Sequence, residues 1–168
     1  MIDVYKSTFW EIKMKKVLAI IPARSGSKTI INKNIRLMAG KPMLAYSIEH
    51  ALRSKYINRV ICSTDSEEYS KIALKYGAEV PFLRPKEIAL DTSLDIEVFE
   101  HTLEYLKKAE GYIPNIVVHL RPTYPIRNVD DIDNAIKILI DNENIDSVRC
   151  ITKTKDTPYK MWKKKSDG

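Results

Sequence analysis

Three cationic side chains, Arg24, Lys28 and Lys33, fall within one short arc of chain, interleaved with Ala23, Ser25, Gly26, Ser27 and Asn34. Like charges crowded together repel unless an anion sits among them, and a polyphosphate accepts charge-assisted hydrogen bonds from all three. The small residues suit the same task, because a loop without bulky side chains leaves backbone N–H groups open to phosphate oxygens. Immediately before the loop, Val17 to Ile21 is an uninterrupted apolar run that reads as a strand buried on both faces and stopped by Pro22. Loops at the carboxyl ends of such strands are where open α/β sheets take ligands. Two familiar cradles are excluded by spacing. Gly26-Ser27-Lys28-Thr29 resembles the tail of a Walker A loop without satisfying Gly-x-x-x-x-Gly-Lys-Ser/Thr, and the chain has no Gly-x-Gly-x-x-Gly.

Further chemistry-bearing residues recur after other apolar runs. Asn58 to Asp65 reads as a strand ending in Ser63-Thr64-Asp65, and Ala78 to Leu83 as a short strand before Arg84-Pro85. Asn115 to Leu120 reads as a strand closing on Arg121-Pro122-Thr123-Tyr124-Pro125, and a last strand is expected at Ser147 to Thr152. Helices are expected between them. One opens at Gly40-Lys41-Pro42 with Pro near its first position and buries Leu44, Ile48, Ala51 and Leu52. A second, capped by Ser66 or Asp65, runs through Ile72 and Leu74 to Gly77. A third spans Leu94 to Lys108 with Ile96, Phe99, Leu103 and Leu106 as its stripe, after a polar loop ending in Asp91-Thr92-Ser93. The fourth starts at Asp130 and Asp131, whose charge complements the helix dipole, and carries Ile132, Ala135, Ile136 and Leu139. Alternating strands and helices make a three-layer α/β domain with a mostly parallel sheet. Parallel order gathers the polar loops after Ile21, Cys62 and Leu120 at one sheet edge.

Composition narrows the partners. A chain of 168 residues, 44% hydrophobic and 30% charged, suits one domain with a sizeable core. The formal charge of +6 comes from lysines spread over helix faces and the tail, with no aromatic stacking partners near the loop cations, which argues against a nucleic-acid groove. Cys62 and Cys150 lie far apart and form no Cys-x-x-Cys pair, so buried reduced thiols are expected rather than zinc or disulfides. His50, His101 and His119 have no sequence partner and are expected to be structural. No stretch has the apolar length of a membrane span, and residues 1–16 lack a signal peptide's apolar core, so the expected location is cytoplasmic.

The string IPARSGSK followed by KN, then STD, then RP with a later DT, then RPTYPIR, resembles the acylneuraminate cytidylyltransferases, or CMP-sialic acid synthetases. The resemblance runs in unbroken order from residue 16 to about 160, and CMP-Kdo synthetases share part of the first motif. It implies a nucleotide-diphospho-sugar transferase-like (Rossmann-like) α/β/α fold. It also implies transfer of CMP from CTP to the anomeric hydroxyl of a nine-carbon α-keto sugar acid, with Mg²⁺ and release of pyrophosphate. Carried over by position, Arg24 and Lys33 are the catalytic cations that neutralise the triphosphate, with Lys28 beside them. Backbone N–H groups from Ala23 to Ser27 hold phosphate oxygens, and Asn34 secures the loop or touches the nucleotide. Arg84 matches the arginine near cytidine, its dull alternative being a surface salt bridge. The segment from Asp91 through Thr92 to Asp95 matches the loop beside base and ribose. For Asp65 three roles stand open: acceptor for ribose, acceptor for Mg²⁺-bound water, or helix cap.

Where the family commonly has Gln-Pro-Thr-Ser-Pro, this chain has Arg121-Pro122-Thr123-Tyr124-Pro125. Arg121 is then expected to pair with the substrate carboxylate or a modified substituent, with Thr123 and a bulkier Tyr124 reshaping the acceptor pocket. Within the sialic, legionaminic or pseudaminic type of acceptor that the resemblance implies, this departure points to a variant acid such as legionaminic or pseudaminic acid. The resemblance also leads one to expect further chain carrying an Asp-x-Asp metal site and much of a homodimer interface. Nothing after Lys155 supplies that motif, so a C-terminally shortened nucleotidyltransferase domain over 15–168, after an extension over 1–14, is the expectation. The rival readings are a CMP-Kdo-synthetase-like enzyme and a non-catalytic CTP-binding module.

Overall fold

The computed structural model describes residues 15–151. Along them run β1 (Val17–Pro22), β2 (Leu37–Met38), β3 (Lys41–Pro42), α1 (Met43–Arg53), β4 (Arg59–Ser63), α2 (Glu67–Lys75), α3 (Asp95–Glu110), β5 (Ile116–His119) and α4 (Val129–Asp141), with 3-10 turns at Lys33–Ile35 and Lys86–Ile88. The expected extension over 1–14 and the tail beyond 151 lie outside the described residues.

β1 is the middle strand of a parallel sheet ordered β4-β1-β5. Leu18 stands opposite Arg59 and Pro22 opposite Ser63, while Val17 to Ile20 run beside Ile116 to His119. All three strands therefore end on one edge, as the sequence predicts. Side chains alternate across a strand, so Val17, Ala19 and Ile21 point to one face, where they meet Leu44 and Ile48 of α1, Tyr69 and Ala73 of α2, and Ile132 and Ile136 of α4. Leu18 and Ile20 point to the other, against Leu106 of α3 with Phe99, Leu103 and Tyr105 packed around it. The three layers are thus three helices, the sheet and one helix. Leu18, Ile20 and Ile21 are wholly buried, and burial of each stabilises the fold by about 1.5–3 kcal/mol.

Several local expectations are corrected. The strand expected at 78–83 shrinks to one parallel bridge between Ile61 and Glu79, because Pro81 has no N–H to continue the ladder. Residues 147–151 are irregular and mostly exposed, with no neighbouring strand to pair with; Thr152 lies outside the described residues. Pro42 is the N-cap of α1, adjacent to its first position as expected. It also closes a small antiparallel ribbon, β2-β3, whose turn holds Ala39 at φ 48° and Gly40 at φ 79°. Leu52 and Ile96 are about half exposed, at 51% and 53%. In α3 the expected stripe holds for Phe99, Leu103 and Leu106, which pack against Leu18 and Ile20, and Val98 and Thr102 are buried beside them. Cys150 is exposed rather than buried. Cys62 is buried, and desolvation pushes its thiol up to about 12, so it carries no nucleophilic thiolate at neutral pH.

Caps set the loops. Ser66, not Asp65, caps α2, its hydroxyl accepting from the Tyr69 N–H at 3.4 Å. Asn128 caps α4 by accepting from the Asp130 N–H at 3.1 Å. His101 stacks edge-on against Phe82 and His119 against Phe99, and His50 is buried in α1. None of the helices among the described residues is long and apolar enough to cross a membrane.

Candidate functional site

At the carboxyl edge of the sheet lies an open cleft of about 330 Å³. It draws Pro22, Arg24, Ser27, Lys33 and Asn34 from the loop after β1, and Arg84 from the segment after the single bridge. Asp95 and Val98 come from the start of α3, and Arg121 to Thr123 from the loop after β5. Four cationic side chains face one acid, so the cleft is built for an anion. The first turn of α3 also borders it, and the positive end of a helix dipole adds to that field.

The first loop is stiffly held. Asp65 accepts the Ser25 N–H on Oδ1 and the Ser25 hydroxyl on Oδ2, both at 2.8 Å. Asn34, 7% exposed, donates from Nδ2 to the Arg24 carbonyl at 3.0 Å, which fulfils the loop-securing half of its expectation. Three backbone donors are already engaged: Ala23 N–H on the Ser63 carbonyl at 2.9 Å, Ser25 N–H on Asp65, and Ser27 N–H on the Ser25 carbonyl at 2.8 Å. The expectation that the amides of Ala23, Ser25 and Ser27 hold phosphate is corrected accordingly. Lys28 meets Arg24 on one carboxylate but does not line the cleft with Arg24 and Lys33. It reaches outward, 84% exposed, to Asp91 at 2.7 Å, and Arg24 also pairs with Asp91. Lys28 and Arg24 together hold the Asp91 carboxyl below the usual carboxylate range. Lys33 makes no ion pair among the described residues.

Arg84 is 5% exposed, which rules out a surface salt bridge. Its Nε donates to Ser63 Oγ at 3.1 Å, a terminal nitrogen donates to the Ser63 carbonyl, and its own N–H donates to the Thr64 carbonyl at 2.7 Å. No carboxylate pairs with it among the described residues. Burial pushes its proton affinity down, partly offset by the field of Asp65. Asp95 pairs with Arg121 across the cleft mouth. Thr123 lines the cleft, whereas Thr92 and Tyr124, 68% exposed, do not. Neither do Ala23, Ser25, Gly26 and Lys28; the first two support the loop from behind.

Two supporting residues escaped sequence reading. Arg127 donates to the Ser47 hydroxyl at 2.9 Å and to the Arg121 carbonyl, tying the loop after β5 to α1. Its place in RPTYPIR was the available signal. Ser63, the hub for Ala23 and Arg84, stands in the STD string, where the sequence assigns it no role of its own.

Three or more metal-ligating side chains do not cluster anywhere among the described residues. Mg²⁺ bound with substrate phosphates needs one or two carboxylates, yet Asp65 spends both oxygens on Ser25 and Asp95 is paired with Arg121. The described residues thus do not fit a resident Mg²⁺ site, and the expectation for Asp65 as a metal neighbour is not supported by its contacts.

A family model described as cytidylyltransferase matches residues 18–161. N-acylneuraminate cytidylyltransferase of Escherichia coli O18:K1:H7 is 41% identical over 139 residues, covering 83% of this chain and 32% of that protein. CMP-N,N'-diacetyllegionaminic acid synthase of Legionella pneumophila is 39% identical over 123 residues, 73% of this chain and 53% of the relative. Pseudaminic acid cytidylyltransferase of Campylobacter jejuni is 41% identical over 129 residues, covering 77% and 55%. The chain therefore spans from a third to a little over half of these relatives. Among solved structures, CMP:2-keto-3-deoxy-manno-octonic acid synthetase complexed with CTP superposes with a TM-score of 0.64 at 21% identity, covering 78% of this chain and 50% of that one. That likeness establishes the nucleotidyltransferase fold that the sequence motifs imply. Sequence and fold agree, and this chain belongs to the cytidylyltransferase family.

Proposed function

We propose that this chain is the CTP-binding part of a cytoplasmic enzyme that transfers CMP to a nonulosonic acid of sialic, legionaminic or pseudaminic type, releasing pyrophosphate. The observation that carries the reading is the cleft at the carboxyl ends of β1, β4 and β5, with Arg24, Lys33, Arg84 and Arg121 on its walls. The relatives' names support the chemistry and the acceptor class.

In the reaction, the anomeric hydroxyl oxygen of the sugar acid bonds to the α-phosphorus as the bond from that phosphorus to the α,β-bridging oxygen breaks. Pyrophosphate departs with that electron pair, and the hydroxyl proton is lost to solvent. Negative charge grows on the departing pyrophosphate, so fixed cations are the main catalytic resource. Lys33, which no carboxylate pairs among the described residues, and Arg24, released from Asp91 when phosphate arrives, supply it. Arg84, buried and with no carboxylate partner among the described residues, is suited to the nucleoside end or the α-phosphate. Arg121 is suited to the acceptor's carboxylate, which would replace Asp95 as its partner. Mg²⁺ belongs to this reading as an ion brought with the CTP phosphates, and none of the described residues is assigned to hold it.

The test is calorimetric titration of CTP, ATP, GTP and UTP into the chain, then a pyrophosphate-release assay with CTP and each sugar acid. CTP should bind in preference to the other three, and release should need a nonulosonic acid. Equal binding of all four nucleotides would sink the assignment. Release with 2-keto-3-deoxy-manno-octonic acid alone would transfer it to the CMP-Kdo type, and CTP binding without release would leave a nucleotide-binding module.

A further inference from the structure

The segment Ser63-Thr64-Asp65 is not part of the cleft lining, yet the loop after β1 and Arg84 are both bonded to it. The Ser63 carbonyl accepts from Ala23 and Arg84, the Thr64 carbonyl accepts from Arg84, and Asp65 closes both of its oxygens on Ser25. Ser25 lies between Arg24, whose side chain lines the cleft, and Gly26, whose carbonyl accepts from that same Arg24 side chain at 3.0 Å. A carboxylate gripping one residue through both its N–H and its hydroxyl removes much of that residue's freedom, and the neighbouring backbone is stiffened with it. Ser66 does the capping of α2, so Asp65 is left with Ser25 as its partner.

We propose that Asp65 is a positioning residue for the loop after β1: its bidentate grip on Ser25 presets that loop, and Arg24 with it, for the triphosphate. The proposal rests on the nucleotide reading of the cleft. It differs from a ligand role in what it demands of residue 65, namely two hydrogen-bonding atoms in the carboxylate's places rather than a negative charge. An asparagine supplies them, accepting the Ser25 N–H on its oxygen and donating from its nitrogen to the Ser25 hydroxyl.

Asp65→Asn, Asp65→Ala and Ser25→Ala variants of the chain test it, with CTP binding measured at several Mg²⁺ concentrations and amide hydrogen exchange followed at Ser25 and Gly26 without nucleotide. Asp65→Asn should bind CTP within about threefold of the parent, and Asp65→Ala should lose about tenfold or more, as expected when two hydrogen bonds that preorganise the loop are removed. Ser25→Ala, which keeps the N–H contact, should fall between them. Exchange at Ser25 should be fast only in Asp65→Ala, and the Mg²⁺ dependence should be the same in the parent and Asp65→Asn. If Asp65→Asn is as weak as Asp65→Ala, the carboxylate's charge is what matters and the proposal is overturned; unchanged exchange in Asp65→Ala overturns it too. Absence of CTP binding in the parent would defeat the nucleotide reading alone, since exchange still reports on the grip.

Discussion

Replacing Arg84 by methionine separates a functional cation from a structural one. The guanidinium is 5% exposed and unpaired by any carboxylate among the described residues, and its side chain makes two hydrogen bonds, both to Ser63. Hydrogen bonds from a charged group contribute about 1.5–3 kcal/mol each, so the pair contributes about 3–6 kcal/mol. Against this stands the desolvation of a buried ion, several kcal/mol after relaxation, visible here as the lowering of its proton affinity by burial. The two nearly cancel, and methionine adds apolar contact without either. The Ser63 carbonyl retains the Ala23 N–H as its donor, so little is left unsatisfied. Arg84→Met should therefore change unfolding free energy by no more than about 1–2 kcal/mol, a shift of a few degrees in melting temperature for a domain of this size. CTP affinity should fall much further, by about 10- to 150-fold, the loss of one charge-assisted contact to the nucleotide. Thermal unfolding by circular dichroism and calorimetric CTP titration measure the two quantities on one preparation. A loss of more than about 3 kcal/mol in stability with CTP affinity intact would refute the reasoning, because Arg84 would then be holding the fold and not awaiting an anion.

Other perturbations address the remaining cations and the histidines. Arg24→Ala and Lys33→Ala should each leave the circular dichroism spectrum unchanged while weakening CTP binding about tenfold or more, and parental affinity in both would remove the loop from the binding site. Asp95→Asn frees Arg121 from its ion pair and should tighten acceptor binding or lower the acceptor KM by a few-fold; a weaker acceptor complex would mean that Asp95 itself touches substrate. Burial lowers the pKa of His50, His101 and His119 below the ordinary histidine value. The unfolded chain therefore binds more protons than the folded one just below about pH 6.5, and stability present above that pH should decline as pH falls through it. Urea unfolding at pH 7.5 and 5.5 checks this, and His101→Gln should flatten the difference.

How much was legible in the sequence depended on the range of the interaction. The uninterrupted run Val17 to Ile21, the helical stripes and the Arg24 to Asn34 arc are local patterns, set by side-chain period and composition, and they were enough to place a parallel sheet with an anion loop at its edge. Pro81 is equally visible in the sequence and explains why the strand at 78–83 ends after one bridge, whereas the exposure of Ile96 and the burial of Val98 and Thr102 are set by how α3 lies on the sheet. Arg84 reads as a nucleotide contact with a surface salt bridge as its alternative, since only packing against Ser63 shows that it is buried with no acid paired to it among the described residues. Most of all, the direction of each charged contact was decided in three dimensions. Lys28 and Arg24 share Asp91, Arg121 meets Asp95 over a gap of 26 residues, and Asp65 closes on Ser25 over 40. Residue types and spacing determined which charges exist and that three of them share a loop. Folding alone decided which charges are neutralised by a neighbour and which remain free for a ligand, because a pairing between distant residues depends on strand register and loop path rather than on anything local.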